Sequence, residues 1–509
     1  MPDYLTLFSS KQIRELETSG KKQSLGTSLM QKAGEAAANF VMSLLGQVCA
    51  PILVVAGPGN NGGDACETAA NLSSHGYDVS ILLCANSEKY SPDALFCFEH
   101  AIANGARVIS PKDFQTILEP HWRLIIDGLF GIGLTREITG VCADIVAKLN
   151  SISSEKNIPI LALDIPSGLD ADTGVVLGEH NIAIRANYTL TFIGNKPGLH
   201  TADGKDYAGK VTVADLDIPE YLYPISTYFL NCPESFEFAM SDRKQNSHKG
   251  SYGEVVIIGG ANGMTGAGIL AARSALFSGA GKVFIGFIHS AITYDSSYPE
   301  IMCRNAKDIQ YATGVIVAGP GMGICQTAKD ILHSILDSDA PLVLDADALN
   351  LIASDVTLQG KLKNRTTASI LTPHPLEAAR ILGMTVKEIQ SNRLSTVKQL
   401  STKFNAVVIL KGAGSVIGSP DGSLRINTSG NPGLATGGTG DVLAGLCGAL
   451  LAQGFDCFHA AQLATWVHGN AADILVNKGV GPLGICASEL PVEIRAGLNS
   501  LVNSHRNQV

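Results

Sequence analysis

The chain has 509 residues, 45% of them apolar and 16% charged, and a formal net charge of −9. At ~100–200 residues per domain it is too long for one core, so two or three domains are expected. The acidic balance, without any Lys/Arg cluster, excludes a nucleic-acid or membrane-surface protein, and no apolar run approaches the ~20 residues of a membrane span.

The N-terminus, MPDYLTLFSSKQIRELETSG, lacks a basic start followed by an apolar core, so no signal peptide is indicated and a cytoplasmic location is expected. The cysteines, 11 in all, are scattered with no C-x-x-C spacing, which suits buried reduced thiols. Low charge with 54 glycines and many short apolar runs points to α/β architecture.

In the first half, residues 52–56 (ILVVA) read as a buried strand running into GPGNNGGD, with a helix from Ala65 to His75. Strands are expected at Val79–Cys84, Leu124–Asp127 (ending on DGLFGIG), Ile160–Asp164 (leading into IPSGLD) and Tyr188–Ile193. Strand, glycine-rich loop, helix, repeated, predicts a doubly wound parallel sheet whose loops converge on one crevice. Asn60, Asn61 and Asp64 place two amides and a carboxylate there, Asn61, Asp127 and Ser167 offer oxygen ligands for one hard cation, and Asp164 ends its strand. From Pro219 to Gly250 the pattern lapses into a linker plus a docking strand, and the boundary falls near residue 230.

The second half restarts the alternation. Strands are expected at Glu254–Ile258, Val283–Phe287, Gly314–Ala318, Leu342–Asp345, Ser369–Thr372 and Ala406–Leu410, with a helix at Ile269–Phe277. Gly319, Gly321 and Gly323 form a backbone patch able to face a substrate. His374 stands between two prolines that rigidify its loop, and Lys411 precedes a turn suited to phosphates. DADALN reads as a strand-end turn capped by Asn350.

The stretch NPGLATGGTGDVLAG, Asn431 to Gly445, carries the most chemistry. Its small residues leave backbone N–H groups open where a buried helix begins, which is an anion site. Asp441 beside that site suits a base that takes a proton from an alcohol about to be phosphorylated. No G-x-x-x-x-G-K-[ST] occurs, so Walker-type chemistry is disfavoured. A small-alcohol kinase, a non-catalytic scaffold in the first half, or a nicotinamide oxidoreductase remain alternative readings.

GPGNNGGD, DGLFGIG and DIPSG in that order resemble the epimerase domain of NAD(P)H-hydrate repair enzymes. HKGSYGEVVIIGG, TGAGILAARSAL, AGPGMG, DADALN, TPHPLEAAR, VILKGAGSVI and the Asn431 stretch resemble the same family's dehydratase domain. The resemblance implies two tandem three-layer αβα domains, Rossmann-like over 1–228 and ribokinase-like over 229–509. It implies that Asp64 and Asp164, with Asn60, Asn61, Gly62, Gly63, Gly131, Ile132, Gly133, Leu134, Thr135, Arg136 and Glu137, bind and epimerise hydrated NADH and NADPH. By it, Asn61, Asp127 and Ser167 hold K+. In the second domain Ala267, Gly323, His374 and catalytic Asp441 would meet the S hydrate. Lys411, Gly412, Ala413, Gly414, Ser415 and Gly440 would meet ADP with Mg2+, and a homo-oligomer is implied. Ala65 stands where the family usually has glycine, and its methyl is expected to crowd the ligand.

Overall fold

The computed structural model describes residues 4–23, 28–46, 50–84, 90–116, 122–236, 243–289, 292–311 and 313–506. The chain divides into two compact units, Met1–Tyr228 and Phe229–Val509.

The first unit is built on seven strands: β1 (Ile52–Ala56), β2 (Val79–Leu83), β3 (Arg107–Ile109), β4 (Leu124–Gly128), β5 (Ile160–Leu163), β6 (Tyr188–Phe192) and β7 (Lys210–Ala214). They lie in the order β3-β2-β1-β4-β5-β6-β7, and every pair is parallel. Helices cover both faces, so β1 is buried along its whole length, with Ile52, Val54 and Ala56 in one core and Leu53 and Val55 in the other. The strand order reverses between β1 and β4, and such a switch point opens a crevice beyond the strand C-termini.

Helix α1 (Ser10–Gln23) and helix α2 (Leu29–Leu45) precede the sheet, and α3 (Asn60–Ser74) follows β1. The sequence placed the start of α3 at Ala65, but the helix opens five residues earlier. Gly62 and Gly63 are buried in its first turns, so these glycines serve close helix packing rather than a loop. The second unit repeats the displacement: its first long helix is Thr265–Phe277 rather than Ile269–Phe277. Gly57 remains in the connection, where a Cβ would fall 1.7 Å from the Leu129 carbonyl oxygen. Gly57→Ala is therefore expected to force the two crevice loops apart at a cost of ~1–3 kcal/mol, read as a lower thermal transition of the first unit.

The second unit's sheet has ten strands: β8 (Tyr228–Asn231), β9 (Glu254–Gly259), β10 (Lys282–Phe287), β11 (Met302–Asn305), β12 (Val315–Ala318), β13 (Leu342–Leu344), β14 (Ser369–Leu371), β15 (Val407–Leu410), β16 (Val416–Gly418) and β17 (Leu424–Asn427). Their order is β11-β10-β9-β12-β13-β14-β15-β16-β17-β8. From β11 to β15 the neighbours are parallel, while β15, β16 and β17 form an antiparallel meander. The helix Thr439–Ala452 is buried along most of its length and packs into the core beneath this sheet. Among the described residues, no helix is long and apolar enough to cross a membrane, and the cysteines are free thiols, with Cys325 and Cys486 exposed.

Candidate active sites

In the first unit, α1 and the loops after β1, β4 and β5 enclose a cavity of about 900 Å³. Asn60, Asn61, Asp64, Gly131, Ile132, Gly133, Leu134, Thr135, Arg136 and Asp164 line it. Gly62 and Gly63 do not; they are buried in α3. Glu137 also lies outside the lining, because it accepts the His180 backbone N–H at 2.7 Å and faces that ring's Nδ1 at 2.8 Å. These contacts hold its carboxyl below the ordinary range. The methyl of Ala65 does not crowd the cavity. It is fully buried against β4, where a Cβ on Gly128 would lie 2.4 Å from it.

Asp164 is not the last residue of its strand but the residue after it, with φ of 65°. A non-glycine residue in that region costs ~1–3 kcal/mol and persists where its surroundings impose it. Here the Asp164 N–H donates to the Leu190 carbonyl (2.8 Å), and its carboxylate meets Lys196 Nζ at 2.7 Å. Lys196 is fully buried and also donates to Thr191 Oγ1 (2.6 Å) and to the Phe192 and Gly194 carbonyls. Nothing in the motif pattern singled out Lys196. That pattern also passed over Arg14, Glu17 and Lys21, which line the cavity from α1. Their spacing of three and four puts them on one helical stripe, beside the buried Ile13 and Leu16. Burial, and then the Asp164 charge, raise the Glu17 carboxyl above its ordinary value. Burial, then Asp164 and Glu17, raise Asp64 much further.

Beneath the cavity Asp127 is fully buried. It accepts the Ser167 N–H (2.9 Å) and hydroxyl (2.7 Å) and the Leu129 N–H (3.1 Å), while burial pushes its carboxyl up to about 6. Asn61 is buried too, and neither its Oδ1 nor its Nδ2 has a hydrogen-bond partner.

In the second unit, Gly438 caps the helix Thr439–Ala452 with φ of 94°, and no side chain bonds to the cap. That conformation favours glycine; the Thr439 N–H donates to the Thr436 carbonyl (3.5 Å), and no side chain closes the rest of the turn at the positive end of the dipole. Asp441 stands in this first turn. Burial pushes its carboxyl up to about 7, with Asp345 adding to the effect and Lys411 opposing it. Lys411 follows β15, and a Cβ on Gly440 would lie 3.2 Å from its Nζ, so the ammonium sits at the helix opening. It pairs with Asp345 Oδ1 at 2.6 Å. Burial disfavours the Lys411 charge, but Asp345, Glu377 and Asp441 outweigh it and raise its value.

DADALN is therefore not a passive turn capped by Asn350. Asp345 holds Lys411 and accepts the Thr372 hydroxyl (2.7 Å), and Asp347 Oδ2 accepts the Gly323 N–H (2.8 Å). Asn350 Oδ1 instead accepts from Arg380 (2.6 Å). His374 caps the helix Pro375–Leu382: its Nδ1 accepts from the Leu376 and Glu377 N–H groups, which puts the proton of the neutral ring on Nε2. Burial and then Lys411 lower this imidazole, while burial pushes Glu377 up to about 7. Gly412, Ala413, Gly414 and Ser415 form the turn into β16, with the Gly412 N–H donating to Ser415 Oγ (3.2 Å). Behind it, buried Arg393 donates to the Leu410 (3.0 Å) and Lys411 (3.3 Å) carbonyls and to Gln390 Oε1 (2.6 Å). Ala267 borders the Gly319–Gly323 loop, its methyl 3.0 Å from where a Gly321 Cβ would lie. Asp441, Gly440, Lys411 and His374 thus form one cluster with Asp345, Asp347 and Glu377, three acids whose place in it the sequence did not indicate.

A carboxylate-lined crevice on one parallel sheet, and a glycine-opened helix with an acid and a lysine on another, define a two-domain α/β enzyme. Residues 255–490 match the family model described as NAD(P)H-hydrate dehydratase, and residues 26–198 match that of the YjeF-related protein N-terminus. A bifunctional NAD(P)H-hydrate repair enzyme of Coxiella burnetii is 34% identical over 504 residues, spanning 97% of this chain and 99% of its own. The chain belongs to the family of bifunctional NAD(P)H-hydrate repair enzymes. An ADP-dependent (S)-NAD(P)H-hydrate dehydratase of Neisseria meningitidis is 40% identical over 275 residues, 53% of this chain and 93% of its own. The ADP/ATP-dependent NAD(P)H-hydrate dehydratase of Bacillus subtilis, crystallised with ATP and Mg2+, matches at 29% identity with a TM-score of 0.47, covering 53% of this chain and 98% of that one.

Proposed function

We propose that the second unit removes water from S-NADHX and S-NADPHX at the expense of ADP, and that the first interconverts the R and S hydrates. The observation that carries this reading is the cluster at the helix opening: Asp441 in the glycine-capped first turn, with the Lys411 ammonium next to it. In the hydrate, C6 of the nicotinamide ring bears a hydroxyl, and hydroxide leaves poorly at neutral pH. Asp441 takes the hydroxyl proton, the oxygen attacks the terminal phosphorus of ADP, and AMP departs. Amides around Gly437–Gly440 and the Lys411 ammonium stabilise the charge that spreads over the transferring phosphoryl oxygens. The N1 lone pair then expels phosphate, and loss of a C5 proton restores the dihydronicotinamide. His374 Nε2–H faces Glu377 Oε1 at 3.2 Å and meets the substrate only by leaving that carboxylate, and the Gly412–Ser415 turn, directly after Lys411, is the segment assigned to the nucleotide.

Mg2+ fits a site whose acids stand beside a phosphate position, because this ion keeps few protein ligands and is held largely by phosphates. K+ fits the first unit: Asn61 has a buried, unpartnered amide oxygen, and the Asp127 carboxylate and Ser167 hydroxyl offer further oxygens. When bound, such an ion supplies the positive charge that a fully buried carboxylate lacks.

Incubating the protein with mixed R and S hydrates plus ADP or ATP, and following each epimer by chromatography, tests both activities. Consumption of both epimers with AMP formation is expected; a stable phosphorylated product would mean an ordinary kinase. Lys411→Met removes the cation that holds Asp441 down. The pH at which dehydration reaches half its maximum is then expected to rise above the wild-type value, measured from kcat against pH.

A further inference from the structure

Interconverting two carbinol epimers needs a group that takes a proton and a second group that gives one, both facing the same ligand. Asp164, its carboxylate oriented by the fully buried Lys196 at 2.7 Å, is suited to the first task. Of the motif residues, Asp64 faces the same cavity, and α1 adds a further carboxyl: Arg14, Glu17 and Lys21 present one stripe to the cavity that Asp64 and Asp164 also line. Arg14 Nη2 donates to the Ile132 carbonyl at 3.0 Å, which ties α1 to the loop after β4. Among the described residues, no hydrogen bond or ion pair engages the Glu17 carboxyl, so it is free to meet a ligand.

We infer that Glu17 is the catalytic acid that works with Asp164 in the first unit, a role that rests on the epimerase reading. Asp164 removes the proton of the C6 hydroxyl. The C6–N1 bond breaks with its electron pair going to N1, where it delocalises into the ring carboxamide, and Glu17 delivers a proton to N1. An aldehyde at C6 remains. Rotation about C5–C6 presents its other face, N1 re-adds, and both protons return to the groups they came from or left. No oxidant, reductant or co-reactant enters.

The surroundings suit that part. Glu17 is faced by Asp164 from the β5 end, Asp64 from α3, Lys196 from the turn after β6, and Arg14 and Lys21 from its own helix. Burial and Asp164 favour its protonated form, and the cations limit the rise. Asp64 is raised well above its ordinary value by burial and then by Asp164 and Glu17, with Lys21 as the opposing charge.

The test uses the full chain, mixed hydrates and excess ADP, so that dehydration of the S form is an internal control. Glu17→Gln is expected to lower kcat for R-hydrate consumption by ~10²-fold or more, the usual size of a general-acid effect, with KM and S-hydrate turnover unchanged. Glu17→Asp is expected to retain part of kcat and to displace the alkaline limb of the wild-type profile, where the rate falls as the acid loses its proton. R-hydrate turnover at the wild-type rate in Glu17→Gln would overturn the assignment. So would an unaltered kcat and pH profile in Glu17→Asp, the variant that decides the matter if Glu17→Gln folds poorly. If instead the unaltered protein never converts the R form, the epimerase reading itself fails and this role falls with it.

Discussion

Asp441→Asn is expected to leave the fold intact and to remove ADP-dependent recovery of the reduced-nicotinamide absorbance, lowering kcat by ~10²–10⁴-fold. The amide keeps the shape of the carboxylate in the first turn of Thr439–Ala452 but cannot take a proton. In the unaltered protein the same chemistry has a sign. A base that must be ionised, with its carboxyl pushed up to about 7, gives a rate that rises with pH through about 7 and falls below it. Unchanged turnover in Asp441→Asn, or a rate independent of pH across that window, removes this residue from the reaction.

Asp164→Ala is expected to strand the R hydrate while S-hydrate dehydration continues, because only the first unit loses its base. It also leaves the fully buried Lys196 ammonium with only the Thr191 hydroxyl and the Phe192 and Gly194 carbonyls within hydrogen-bond distance among the described residues. Breaking one side of a buried ion pair costs ~3–5 kcal/mol, so the thermal transition of the first unit is expected to fall sharply. The double substitution Asp164→Ala/Lys196→Met, which removes both charges, is expected to recover much of the stability and none of the R-hydrate turnover. That separation of melting from turnover distinguishes a structural ion pair from a catalytic one.

The parallel sheets were legible because each buried strand reads as an apolar run closed by a glycine-bearing motif, as ILVVA before GPGNNGGD shows. The helix starts were less so, since Asn60–Asp64 and Thr265–Gly268 look like loops by composition yet form first turns packed tightly on the sheet. Strands β11 and β17, MCRN and LRIN, carry polar residues among the apolar ones and lack the unbroken apolar run that marks β12 and β15 at the same length. In the sites, single motifs supplied Asp64, Asp164, Lys411 and Asp441. Side chains that matter through a partner far along the chain escaped notice: Asp345 is 66 positions from Lys411, and Lys196 is separated from Asp164 by a whole strand. Glu17 sits on a helix whose 3–4 stripe of charge reads as an ordinary solvated face.

The guanidinium of Arg393 holds the two carbonyls at the end of β15 from behind. The backbone of Lys411 is thereby immobilised before any nucleotide arrives. Ordering a loop around a ligand consumes binding free energy, and little of that expense falls on this strand end. The affinity available from the phosphates is left to be expressed in the reaction, through a lysine that begins its work already aimed.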